Sequence, residues 1–123
     1  MESSIIKDIP QELKSFIVTV VNSYTAWDIL TYFYDAPRMI KADAEEVASS
    51  IGRDTNEVQE VFNGMLTKEV LNSIEQDGKK LYISNLQGKM YTIIDQFLKF
   101  TSTREGRLKT IYLITSERFK RAD

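Results

Sequence analysis

The stretch that most constrains this chain is DAEEVASSIGRDTNEVQEVFNGMLTKEVL, residues 43–71. Its apolar residues fall into two sets at spacings of three and four: Ala44, Val47, Ala48 and Ile51, then Val58, Val61, Phe62, Met65 and Leu66. Each set marks the buried face of a short amphipathic helix. Asp43 stands three residues before Glu46, and Asp54 three before Glu57. Each helix therefore opens on a carboxylate that can accept from unpaired backbone N–H groups, followed by an acid that can reach back. Only Ile51, Gly52 and Arg53 separate the two segments, and Gly52 sits where the first helix must end in a left-handed residue. Two helices joined by a tight turn must cross over a shared apolar centre, with the small Ala44 and Ala48 at the close approach.

A chain of 123 residues with 42% apolar and 28% charged side chains is expected to form a single domain around one core. Cysteine and histidine are both absent. Their absence removes thiolate nucleophiles, imidazole bases, disulfides and the usual zinc ligands together. The acids fall mostly at helix starts and on solvated faces, so no catalysis, cofactor or metal is expected. No run approaches the roughly 20 apolar residues of a membrane span, and the start MESSIIKDIP is acidic where a signal peptide is basic. A cytoplasmic location is the expectation.

Outside the central pair, Asp8 and Pro10 mark a helix start, and Leu13, Phe16, Ile17, Val20 and Val21 form its stripe as far as about Asn22. Thr25 with Asp28 is placed to cap a second helix, TAWDILTYFYDA, which ends before Pro37. A short strand is expected at Met39 to Lys41. Beyond residue 71, LNSIEQDGKKLYIS reads as a hairpin, because Asp77-Gly78 suits a two-residue turn with positive φ. Its arms are expected at Leu71 to Glu75 and Lys80 to Ile83. Ser84 and Gln87 can cap the next helix, with Leu86, Met90, Ile93, Ile94, Phe97 and Leu98 inward to about Phe100. Ser102 with Glu105 offers one more capping box, before a helix with Leu108, Ile111, Tyr112 and Phe119 inward. The β-branched LKTIYLIT within it is the competing strand reading.

Helix, extended segment, helix, turn, helix, hairpin and long helix, in that order from Tyr24 to Leu98, resemble the winged helix-turn-helix domains of MarR-like and ArsR-like transcriptional regulators. The turn IGRDTNEV and the ending EVFNGMLTKEVL carry the likeness; Glu69 departs from it, standing where many such proteins have glycine. The resemblance implies a mainly α fold with a β wing, in which residues 24–85 form the winged-helix core, 1–23 an N-terminal helix and 86–123 C-terminal helices. It further implies a homodimer built by those terminal helices. Leu13, Phe16, Ile17, Val20, Met90, Ile94 and Phe97 are the expected interface, since the two stripes are more apolar than a small three-helix core can absorb.

In such proteins the second helix of the pair enters the major groove and the wing touches the backbone. By position, Thr55, Asn56, Gln59 and Asn63 would then meet base edges of double-stranded DNA, where a carboxamide suits adenine. Arg53, Lys68, Lys79 and Lys80 would meet phosphates. The charge distribution is awkward for that role: residues 41–72 carry a formal −4 and residues 89–123 carry +4, within a total of −2. Phosphate neutralisation normally supplies most non-specific affinity. The alternative is therefore a protein-protein interaction module that docks a basic partner on an acidic recognition face, without DNA binding.

Overall fold

The computed structural model describes residues 8–34 and 41–122, with side chains as far as Arg118. It contains six helices and a small antiparallel sheet: α1 (Gln11–Thr19), α2 (Tyr24–Tyr34), β1 (Lys41–Ala42), α3 (Ala44–Ile51), α4 (Thr55–Thr67), β2 (Leu71–Gln76), β3 (Lys79–Ser84), α5 (Gly88–Phe100) and α6 (Arg104–Ala122). The expected helix stop at Pro37, the strand residues Met39 and Ile40, and the side chain of Phe119 lie outside the described residues.

The central pair forms as its caps dictate. Asp43 accepts from the Glu46 N–H at 2.8 Å, and Asp54 accepts from Asn56 and Glu57 at 3.0 and 3.3 Å. Gly52 closes α3 with φ 71°. Glu57 does not reach back to its own cap; its carboxylate takes the hydroxyl of the buried Thr25 on α2. Thr25 is thus inside α2 and does not start it. Ser23 does so, accepting from the Ala26 N–H at 3.1 Å.

α4 ends where the Glu69 N–H bonds Leu66 O and the Val70 N–H bonds Met65 O, the six-residue closure normally made around a left-handed glycine. Glu69 holds that conformation, with φ 61°. A side chain there is disfavoured by roughly 1 kcal/mol, partly offset because glycine frees the unfolded chain. Glu69→Gly is therefore expected to raise the urea midpoint at unchanged slope, by up to about 1 kcal/mol of stability. A lowered midpoint would contradict this account of the helix end.

β2 and β3 pair from Leu71↔Ser84 to Gln76↔Lys79, one residue longer at the tip than the sequence indicates. Asp77 and Gly78 both have positive φ, as a primed turn requires. β1 joins the far side of β3, with Lys41↔Ile83 and Ala42↔Tyr82, giving the order β1-β3-β2.

The terminal helices differ from expectation in several respects. Leu13, Phe16, Ile17, Val20, Ile94 and Phe97 are buried in the chain's own core and Met90 is half-buried, so these side chains do not await a second subunit. They are covered because α1 packs on both α5 and α6, and Phe97 receives Phe16 and Trp27 at ring separations of 5.7 and 5.9 Å. Another concerns α6, which is helical throughout LKTIYLIT but turned the other way. Gly106, Thr110, Leu113 and Ile114 face inward, while Leu108, Ile111 and Tyr112 are 53%, 40% and 37% exposed. The inward face combines the small Gly106 and Thr110 with Leu113 and Ile114, and Gly106 stands where a Cβ would overlap the Phe100 carbonyl oxygen. Its cap is Thr103, accepting from the Gly106 N–H at 3.0 Å, and not Ser102. Likewise α5 begins after Gln87, leaving Leu86 outside it and 47% exposed. α1 stops at Thr19, short of the β-branched Val20 and Val21.

Candidate nucleic-acid interface

The cap at Asp54 sets the start of α4 at the surface, and the sheet register brings the hairpin beside it. Asp43, Ala44, Glu45, Thr55, Gln59, Lys79, Lys80 and Tyr82 line an open groove of about 430 Å³ between these elements. Its floor is fixed by packing: the buried Tyr82 ring lies 4.1 Å from that of Phe62 on α4. Lys80 Nζ stands 5.6 Å above the Tyr82 ring, a cation–π placement that holds the ammonium over the groove. Gln59 Nε2 donates to the Tyr82 hydroxyl at 2.8 Å and to Asn63 Oδ1 at 3.1 Å. Helix and hairpin are thereby tied directly across the groove.

Of the expected base-reading residues, Thr55, Asn56 and Asn63 are exposed and Gln59 is half-buried by its two bonds. The expected phosphate contacts divide. Lys79 and Lys80 line the groove with Thr55 and Gln59. Arg53 is turned inward to Asp28 on α2, with its Nη2 3.1 Å from the carboxylate. Lys68 lies on the other side of α4, donating to the Thr19 carbonyl at the end of α1. Both basic groups serve the fold, and neither stands beside the hairpin lysines.

The same geometry redistributes the acids. Asp43 and Asp54 cap helices, and Glu57 is engaged by Thr25. Glu60 lines a separate depression with Val20 and Lys68, about 100° around the helix from Gln59. Asp43 and Glu45 remain in the groove opposite Lys79 and Lys80, so its formal charges balance. Nearby, Tyr32 titrates above its ordinary value, first because burial disfavours the phenolate and then because Glu46 and Asp43 repel it.

Two tyrosines that the sequence marks only as a strand residue and as an aromatic of the second helix's buried side organise this region. Tyr82 was legible only as a strand residue; its alternation with Lys80 and Ser84 is the one signal that it shares their face. Tyr34, at the end of α2, donates to the Val70 carbonyl and accepts from the Asn85 N–H at 2.8 Å, gripping the hairpin just outside both strands. No sequence pattern announces that bond. Within the C-terminal basic block, Arg107 donates to the Thr101 and Ser102 carbonyls at 3.2 Å, and Lys109 pairs with Glu105 at 3.0 Å.

The groove offers hydroxyl, carboxamide, ammonium and carboxylate groups on a shallow surface. Among the described residues no three acids converge as metal ligands would, and no helix is long and apolar enough to cross a membrane. Comparison with models of known protein families, with curated proteins and with solved structures found no match.

Proposed function

We propose that this chain is a winged helix-turn-helix protein that binds duplex DNA as a transcriptional regulator, with α4 as the reading helix and β2-β3 as the wing. The order α2-β1-α3-α4-β2-β3 and the sheet order β1-β3-β2 support the fold assignment. The observation that carries the function is the position of Lys79 and Lys80 on the same groove as Thr55 and Gln59. One surface then offers phosphate contacts from the hairpin and base contacts from the helix. Glu60, an acid of the reading helix, lines the depression with Val20 and Lys68 and stands away from that groove.

A homodimer belongs to the proposal. Its apolar contact would come from Leu108, Ile111 and Tyr112 of α6, which are exposed, and not from the core residues of α1 and α5. The balanced charge of the groove, with Asp43 and Glu45 facing the lysines, favours a second reading as a protein-interaction module.

A salt titration of binding to random-sequence duplex DNA separates the two. Two lysines from each of two chains predict a log–log slope between about −3 and −4, with a stoichiometry of two chains per duplex. Lys79→Ala or Lys80→Ala should reduce the slope by about 2 in the dimer, at nearly unchanged stability. Undetectable binding at low salt would remove the DNA reading in favour of the module.

A further inference from the structure

We infer that Gln59 and Asn63 form one reading unit, held by the Tyr82 hydroxyl, that selects adenine on the major-groove edge. The inference rests on the DNA-binding reading above and adds the base chemistry to it. A free glutamine amide can pair with adenine, but its side chain must first be ordered from many rotamers. Gln59 is not free. Its two N–H groups are engaged by Tyr82 at 2.8 Å and by Asn63 Oδ1 at 3.1 Å.

These bonds leave the Gln59 Oε1 acceptor and the Asn63 Nδ2 donor for a ligand. Turning both amides over exchanges the two roles and still leaves one donor and one acceptor, because Tyr82 can donate as well as accept. Taken base by base, only adenine presents a donor next to an acceptor in the major groove, its N6 amino group and N7. Guanine presents two acceptors, thymine an acceptor beside a methyl group, and cytosine a donor.

Tyr82 is the positioning residue of the unit. It is 2% exposed, and its ring is fixed 4.1 Å from Phe62, so it holds the Gln59 amide without meeting the base itself. Its hydroxyl lies across the groove from α4, so the unit spans helix and hairpin.

The test is selection of bound duplexes from a randomised library by the full chain, compared among wild type, Tyr82→Phe and Gln59→Met. Wild type is expected to enrich adenine at one position per half-site by at least about tenfold over the other bases. Tyr82→Phe keeps the ring packed on Phe62 and under Lys80, and its binding to random duplex is measured beside the selection. Its adenine preference should fall to less than about threefold. Gln59→Met, a change of similar length at a half-buried position, should lose the preference equally and provides the result if Tyr82→Phe does not fold. Duplex binding without an adenine preference in wild type, or with the preference intact in folded Tyr82→Phe, overturns this inference and leaves DNA binding standing. Failure of wild type to bind any duplex at low salt overturns both.

Discussion

Gly106→Ala is expected to destabilise the chain by about 3 kcal/mol, a large share of the stability of a domain this size. A Cβ at this position would overlap the Phe100 carbonyl oxygen, stand 2.7 Å from its carbon and lie 3.1 Å from Thr103 Oγ1. The carbonyl is backbone and cannot swing aside. The turn between α5 and α6 is also closed by Thr101, Ser102 and Thr103 hydroxyls on the last carbonyls of α5, with Arg107 on the carbonyls that follow. Relief of the overlap would have to move the first turn of α6 away from α5. General helix propensity gives the opposite sign, since alanine is favoured over glycine within a helix by up to about 1 kcal/mol. The urea midpoint therefore decides the matter cleanly. A stabilised Gly106→Ala protein would mean that α5 and α6 do not meet as described.

Tyr34→Phe should lower stability by about 1–3 kcal/mol, because it strips a partner from the Val70 carbonyl and the Asn85 N–H at the base of the hairpin. Its pH dependence identifies the same group. Burial raises the Tyr34 pKa above the ordinary 10.0, opposed by the Asn85 hydrogen bond and aided by Tyr91. A folded-state pKa above the unfolded value means that the neutral phenol is favoured in the fold. That contribution is fully present below pH 10.0 and is lost as pH rises through the folded-state value. Wild type should therefore weaken as the pH rises above about 10, and Tyr34→Phe should weaken less. Some alkaline slope should persist in the variant, because Tyr32 is raised as well. Equal slopes in the two proteins would assign the effect elsewhere.

What was readable beforehand was local. Asp43, Asp54, Gly52 and the Asp77-Gly78 turn act through bonds within a few residues, and each occupies its expected place. What was not readable depended on which surface covers which. Periodicity identified Leu13 to Val20 and Met90 to Phe97 as apolar faces but could not say that α6 and each other would cover them. On α6 the expected inward row, Leu108 with Ile111 and Tyr112, gave way to the row with Gly106, Thr110, Leu113 and Ile114. At the groove, charge identity in the sequence said nothing of direction. Arg53 and Lys68 were drawn into bonds with α2 and with the end of α1, leaving Lys79 and Lys80 beside α4.

The short β1 covers only two residues of β3, and β2 is an outer strand, so among the described residues the sheet keeps two unpaired margins. Margins of this kind template fibril growth when they are long and apolar. Here the outer strand carries exposed Asn72, Ser73, Glu75 and Gln76, and the uncovered part of β3 begins with Lys79 and Lys80. The same two ammonium groups that would meet phosphate thus also keep neighbouring molecules from stacking edge to edge in concentrated solution.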